Sequence, residues 1–190
     1  MLEEVKNMPK LFAVMLGGRA PGCNIELHDI VFVTGHSLEA THSQLIQKWF
    51  GASDSVHIDS SVELNYVDHY KIELKPYPQI NFDKKLFFVN FGGYQPDFFG
   101  ELHEVGFFSA ENKNAAIHQA KQKLCKSLQQ QHKDDCMLLE KLDSTGKIEA
   151  DDIIEIEKVD SFYIHLIPDQ TAIHPLQIKS FYRRITPQTP

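Results

Sequence analysis

The stretch LFAVMLGGRAPGCNIELHDIVF at residues 11–32 decides the fold, because the chain repeats it as LFFVNFGGYQPDFFGELHEVGF at residues 86–107. The alignment of these copies extends without a gap over 40 positions, of which 14 are identical. A second block, residues 59–74, realigns onto residues 151–166, so copy two carries 17 additional residues between its blocks. An internal repeat of this kind predicts two structural units built alike.

Each copy is predicted to begin with a buried strand. Apolar residues occupy both faces of residues 11–16 and 86–91, which is typical of a central strand. The strands are followed by glycine pairs, Gly17–Gly18 and Gly92–Gly93, which predict structural turns. We expect the second strands at about residues 26–33 and 101–108.

A helix and a hairpin are predicted to complete each copy. Ser37 and Asn112 are favoured N-cap residues, and apolar residues follow both at helical spacing. Alternating apolar residues from Val62 onward then predict a hairpin, with its turn at Asp68 in copy one and at Asp160 in copy two.

These patterns predict an α+β fold of two tandem ββαββ repeats, with mainly antiparallel sheets each covered by one helix and related by pseudo-twofold symmetry. A right-handed crossover through the helix would instead make the middle strands parallel. Because units this small are marginally stable alone, we expect the two repeats to pack on each other. The predicted division is an N-terminal extension 1–10, unit one 11–74, a linker 75–85, unit two 86–166 with an insertion at about 126–147, and a tail 167–190. Within that tail we expect one further strand at about 176–185, and disorder at the end.

Composition restricts the function classes. The formal net charge is −7, which disfavours a nucleic-acid partner because such proteins need clustered lysine and arginine. The longest apolar run, residues 11–16, is too short for a membrane span. Cys23, Cys125 and Cys136 have unrelated spacings and predict free thiols. Together with an N-terminus that lacks a basic signal region, these features favour a cytoplasmic protein.

The candidate site is a tripeptide that occurs in both copies, Glu26-Leu27-His28 and Glu101-Leu102-His103. Residues two apart on a strand share a face, so each glutamate is expected beside its histidine. Continuing this register places Glu26 and His28 on the face of Ile30 and Phe32, which we predict to be the core face. Structural hydrogen bonding, a ligand-binding pair and a metal or acid–base pair all fit Glu26, His28, Glu101 and His103.

Other motifs are weaker. His57 and Asp59 have the same-face spacing, but the position of His57 is occupied by Glu149 in copy two, which argues against a shared role. The glycine pairs lack the residues that complete a phosphate-binding loop, and no two histidines have the spacing of a helical zinc site. The sequence therefore predicts no cofactor, although a metal remains an alternative.

The repeated pattern L-F-x-V-x-x-G-G-x-x-P, followed by E-L-H-[DE]-[IV]-x-F and later by V-D-x-[YF], resembles a bacterial family of uncharacterised proteins, domain of unknown function 1543. The resemblance covers about residues 11–74 and 86–166 and implies one or two copies of the unit per chain. It implies no activity.

The absence of catalytic motifs from the sequence favours a non-catalytic binding or interaction module, whose partner is an unknown protein or a small molecule. The alternative is a small metal-dependent or acid–base enzyme that uses the duplicated Glu-x-His pairs. Both hypotheses centre on Glu26, His28, Glu101 and His103.

Overall fold

The computed structural model describes residues 8–80, 83–93, 97–124, 152–170 and 174–186. The chain divides into two compact units, one formed by residues 1–79 and 158–190 and the other by residues 80–157. The compact units differ from the sequence repeats, because the hairpin that ends repeat two belongs to the first compact unit. The insertion at about 126–147, Cys125, Cys136 and the end of the tail lie outside the described residues.

The main sheet of the first unit has the order β11-β3-β1-β2, and all of its strand pairs are antiparallel. Its strands are β1 Lys10–Gly18, β2 Leu27–Gly35, β3 His57–Glu63 and β11 Ile178–Arg184. The inner strand β1 is buried on both faces, as predicted. The strand predicted in the tail is confirmed as β11. Since β2 and β3 both run antiparallel to β1, they share a direction without pairing with each other.

A short helical layer covers one face of this sheet. It consists of a 3-10 turn at Glu39–Thr41 and helix α1 at His42–Lys48. Leu45 from the helix and Trp49 just after it are buried at the predicted helical spacing. They join a core of Phe12, Val14, Leu16, Val31, Val33, Leu45, Trp49, Val56, Ile58 and Ile185.

The predicted core face of β2 is wrong. Val31 and Val33 are the residues that pack in the core, whereas Ile30 and Phe32 are only half-buried. Side chains alternate along a strand, so His28 lies on the face turned away from the helix. Both faces of this segment are apolar. The helix covers the face of Val31 and Val33, which share the core with Leu45 and Trp49. We call the face of His28 the outer face.

A second sheet in the first unit combines the hairpins of both repeats in the order β4-β5-β10-β9. Its strands are β4 Tyr66–Val67, β5 Tyr70–Lys75, β9 Lys158–Val159 and β10 Phe162–Pro168. The predicted first hairpin arm is too long, because Val62 belongs to β3 and pairs with Ala13 of β1. The backbone changes sheets after Leu64, whose N–H donates to the carbonyl of Leu11 at 2.8 Å.

The predicted hairpin turns are confirmed. Asp68 has φ 49° and Asp160 has φ 53°, so both occupy the left-handed region. Tight two-residue hairpin turns need this conformation, and Asp tolerates it better than most residues.

The second unit contains a three-stranded antiparallel sheet in the order β7-β6-β8, counted within its described residues. Its elements are β6 Lys85–Gly93, β7 Leu102–Ala110, helix α2 Lys113–Lys123 and β8 Asp152–Glu155. Asn112 caps the helix as predicted, because its side chain accepts a hydrogen bond from the Ala115 N–H at 3.0 Å. The core of this unit is Phe87, Val89, Phe91, Phe108, Ala110, Ala116, Ala120 and Leu124.

The α+β class with mainly antiparallel sheets and few helices is confirmed. None of the helices in the described ranges has the length and apolar character needed to cross a bilayer. Cys23 is a free cysteine.

Candidate functional site

Glu26 and His28 lie at the start of β2, at one end of the main sheet of the first unit. His28 is directly opposite Gly17 of β1, and Glu26 comes two residues earlier on the same outer face. Both side chains are about half exposed, at 46% and 51%. His28 Nε2 lies 3.9 Å from Glu26 Oε2, so the two side chains form a loose pair.

Strand β3 brings a second imidazole and a second carboxylate to the same place. His57 pairs with Gly17 on the side opposite His28, so the glycine stands between the two histidines. His57 Nε2 lies 3.0 Å from Glu26 Oε1 and 3.3 Å from Asp59 Oδ1. His28 Nε2 lies 3.3 Å from Asp59 Oδ2. We call Glu26, His28, His57 and Asp59 the imidazole–carboxylate cluster.

Gly17 provides the space that the cluster needs. A Cβ atom at this position would lie 2.5 Å from both Asp59 Oδ2 and His57 Nε2. The predicted turns at Gly17, Gly18, Gly92 and Gly93 are therefore a misinterpretation, because all four are the last residues of strands β1 and β6. Gly17 has no unusual backbone angle. The reason for a glycine at this position is the close packing of His57 and Asp59 against it.

A β-bulge at Asp59 completes the geometry. On β1, Met15 pairs with Ser60 and Leu16 pairs with Ile58, so Asp59 has no partner across the strand. A bulge bends a strand locally and redirects side chains. Here it keeps His57, Asp59 and Ser60 on the outer face, while Ile58 stays in the core.

His57 is the buried member of the cluster. Its side chain is 3% exposed, and the ring of Tyr182 from β11 lies 4.5 Å away, centroid to centroid. His57 Nδ1 is 3.1 Å from the carbonyl oxygen of Ser55, and because a carbonyl only accepts, Nδ1 donates. Nε2 is the ring nitrogen that faces the oxygens of Glu26 and Asp59.

The cluster contains more hydrogen-bond acceptors than donors. Asp59 Oδ2 is buried and has no hydrogen-bond partner among the described residues. It lies at ion-pair distance from His28, but the two groups are not aligned for a hydrogen bond. A buried acceptor left in this state costs about 1–3 kcal/mol. A ligand that donates a hydrogen bond to Asp59 Oδ2 would remove this cost.

The corresponding pair in copy two lies in the other compact unit. His103 Nε2 is 3.4 Å from Glu101 Oε2, and His103 is directly opposite Gly92, as His28 is opposite Gly17. The positions that match His57 and Asp59 are Glu149 and Asp151, which lie outside the described residues. The structure thus forms both predicted pairs, and it joins the first to His57 and Asp59.

Asp160 has a role beyond its turn. Its Oδ2 accepts hydrogen bonds from the Thr34 N–H at 2.8 Å and from the Thr34 hydroxyl at 2.9 Å, and its Oδ1 pairs with Lys48 at 2.9 Å. Burial alone would raise the pKa of Asp160, but the Lys48 ammonium and the Thr34 donors outweigh it and lower that pKa. The turn of the repeat-two hairpin is thereby held on the sheet of repeat one.

No group of three or more histidine, cysteine, aspartate or glutamate side chains in the described ranges is arranged to hold a metal ion. The four cluster side chains instead face each other at ion-pair distances.

Sequence reasoning missed His57, Asp59 and Tyr182. The first two have a recognisable signal, the same-face spacing His57-x-Asp59, but the Glu149 that replaces His57 in copy two argues against a shared role. Tyr182 carries no such signal, since its approach to His57 depends on the pairing of β11 with β3.

Comparison with known proteins supports the repeat-based resemblance. The model of Domain of Unknown Function (DUF1543) matches residues 23–74 and 99–145, one region in each copy. The chain is similar to a protein Il1583 from Idiomarina loihiensis, whose crystal structure is known. The two share 31% sequence identity and superpose with a TM-score of 0.69, and the alignment covers 94% of this chain and 99% of that one. None of the curated proteins matches the chain.

Proposed function

The chain belongs to the DUF1543 family, and we propose that it is a non-catalytic binding module whose imidazole–carboxylate cluster takes a small cationic ligand with N–H donors, such as an amine or a guanidinium. The observation that carries this proposal is Asp59 Oδ2, a buried carboxylate oxygen without a hydrogen-bond partner among the described residues. A charged N–H donor would satisfy this oxygen, and hydrogen bonds to charged groups contribute about 1.5–3 kcal/mol each.

The exposure of the cluster supports access from solvent. Glu26, His28 and Asp59 keep 46%, 51% and 30% of their side chains exposed around the buried ring of His57. Tyr182 is 68% exposed beside that ring, so it offers an aromatic face to a cation.

The surrounding charges also favour a cation. The cluster contains two carboxylates, and the net charge of −7 attracts cations over longer distances. Arg184 is the opposing charge, because it pairs with His57 across the strands. Its guanidinium donates to the carbonyl of Asp54 at 3.0 Å, which engages part of that group.

One observation favours the alternative, an acid–base enzyme. The Ser55 carbonyl fixes the orientation of His57, whose Nε2 lies 3.0 Å from Glu26. An oriented imidazole beside a carboxylate is the arrangement of a general base. The binding module is preferred because the sequence carries no catalytic motif.

Calorimetric titration with agmatine, which carries an amine and a guanidinium, tests the proposal. Glu26→Gln removes one cluster carboxylate, and Glu101→Gln makes the same change in the pair of copy two as the matched control. We expect Glu26→Gln to weaken binding roughly tenfold or more and Glu101→Gln to leave it within about twofold. Equal losses in both variants, or no binding to the unmodified protein, would contradict the proposal.

Elemental analysis separates the proposal from its metal-dependent rival. We expect no stoichiometric metal in the purified protein. A metal that is present at one equivalent and disappears in His57→Ala would overturn the amine-binding proposal and favour the enzyme.

We also propose that the ββαββ repeats are related by a twofold axis where their hairpins pair. The register of β5 with β10 supports this, because Ile72 pairs with Leu166 and Leu74 pairs with Ile164. Ile72 corresponds to Ile164 in the other copy, and Leu74 corresponds to Leu166. A twofold rotation that exchanges the copies therefore converts one pair into the other. The bacterial origin and the cytoplasmic location stay predictions.

A further inference from the structure

A separate candidate site lies in the first unit, on the opposite face of the main sheet from the cluster. It is a cavity of about 790 Å³, which is within the range of small-molecule sites. Phe12 and Ser61, which are on the core face of the sheet, form part of its wall. The cavity therefore lies where the short helical layer leaves the end of the core face uncovered.

Strand β11 separates this cavity from the cluster by the alternation of its side chains. Lys179, Phe181 and Arg183 line the cavity, whereas Tyr182 contacts His57 on the outer face. The cavity can therefore be altered without changing the cluster, and its ligand is independent of the proposed function.

The charges in the cavity are the reverse of those in the rest of the chain. Three permanent cations line it, Lys10, Lys179 and Arg183, against two carboxylates, Glu39 and Glu63. These five residues give a local charge of +1 in a chain whose net charge is −7.

Each carboxylate is already engaged by one cation. Lys10 donates to Glu63 at 2.9 Å, and Arg183 donates to Glu39 at 2.8 Å. Burial raises the pKa of Glu63, but hydrogen bonds from Asn65 and Lys10 outweigh it and lower that pKa, so the carboxyl stays ionised. These pairs hold the cations in place at the cavity.

Lys179 is the cation that remains. Within the described ranges it has no hydrogen-bond or ion-pair partner, although its charge acts on Glu63. It is directly opposite Ser61 on β3, which places both residues on the cavity side of the sheet. An ammonium beside a hydroxyl group is suited to an anion.

The remaining wall is aromatic. Phe12 and Phe181 line one part, and the rings of Tyr66 and His174 stack at 3.8 Å in another. Such walls bury a planar apolar group, while the polar groups fix its orientation.

We propose that this cavity binds an aromatic organic anion, a small molecule with a planar ring and a carboxylate or phosphate group. Lys179 contacts the anionic group, Arg183 and Lys10 flank it, and the aromatic side chains pack on the ring.

Calorimetric titration at low salt with phenyl phosphate and with benzoate tests this, with benzylamine as the probe of opposite charge. Lys179→Gln removes the ammonium group from the cavity, and Lys71→Gln, in β5 and outside the cavity, removes the same charge as a matched control. We expect Lys179→Gln to weaken anion binding roughly tenfold and Lys71→Gln to change it less than about twofold. Binding of phenyl phosphate alone identifies phosphates, and binding of both anions identifies carboxylates as well.

Glu63→Gln tests the proposal in the opposite direction, because it is expected to strengthen anion binding and not to weaken it. Removing this carboxylate frees Lys10, so we expect anion binding to tighten about threefold or more. The proposal is overturned if neither anion binds at millimolar concentration, if benzylamine binds equally well, or if Lys71→Gln weakens binding as much as Lys179→Gln. Weaker binding to Glu63→Gln would also overturn it.

Discussion

The same strand pair has different surroundings in the two copies. In both, a histidine of the second strand is opposite a glycine of the first, His28 at Gly17 and His103 at Gly92. In copy one the third strand adds His57 and Asp59, and β11 adds a fourth strand with Tyr182. In copy two the matching positions hold carboxylates by sequence, and its described sheet has three strands. Duplication has kept the scaffold, and the strands added to it distinguish the copies.

The strongest test of the comparison is at Asp160, where the hairpin of repeat two is held on the sheet of repeat one. Asp160→Ala removes the acceptor for Thr34 and Lys48 and places alanine at φ 53°. We expect the free energy of unfolding to fall by about 2–4 kcal/mol. Urea denaturation measures it, and Asp160→Asn, which tolerates this φ, is expected to lose less. Equal losses in both variants would show that the backbone angle contributes nothing.

The same interactions predict a pH dependence. The pKa of Asp160 is lowered in the folded protein, so the stability it contributes is complete above the unfolded pKa, near 3.8, and is lost as pH falls through the folded pKa. We expect the difference in unfolding free energy between the unmodified protein and Asp160→Asn to shrink from pH 7 to about pH 3. A difference that grows on acidification would contradict the assigned ion pair.

A smaller effect is expected at Gly17, the glycine between the two histidines. Gly17→Ala forces His57 and Asp59 outward, because the new Cβ would lie 2.5 Å from each, and we expect a loss of about 1–3 kcal/mol. In a His57→Ala background the same substitution should cost less, since one clashing side chain is gone. Equal costs in both backgrounds, measured by urea denaturation, would mean that the cluster does not require this glycine.

The smallest expected loss of stability comes from removing the side chains that cap the two helical segments, Asn112 and Ser37. Asn112→Ala should cost about 1 kcal/mol, because Asn112 accepts from the Ala115 N–H at 3.0 Å ahead of an 11-residue helix. Ser37→Ala should cost only a few tenths of a kcal/mol, because its contact to the Ala40 N–H is longer, at 3.3 Å, and precedes a three-residue turn. Thermal denaturation of both variants measures the two losses of stability. A larger loss for Ser37→Ala than for Asn112→Ala would contradict this prediction.

The sequence could predict elements whose cause is local. Two-sided hydrophobicity made β1 an inner strand, and Asp68 and Asp160 indicated tight turns because few residues tolerate the left-handed region. The core face of β2 was predicted wrongly because both faces of this segment are apolar, and alternation alone cannot choose between them.

The site was only half predictable for a related reason. Glu26 and His28 stand out because copy two repeats them, whereas the same criterion argues against His57, since copy two has Glu149 at that position. Their convergence depends on β3 pairing with β1, a contact between residues about 40 positions apart that local patterns do not encode. Differences between copies are therefore as informative as identities when one copy carries the site.

Histidine ring signals in an NMR titration with agmatine test the central claim most directly, because His28, His57 and His103 report on the two copies within one molecule. We predict that the ring signals of His28 and His57 shift together with a single dissociation constant, while those of His103 stay unchanged. Equal shifts at His103, or no shift at His57, would contradict the assignment of the binding site to copy one.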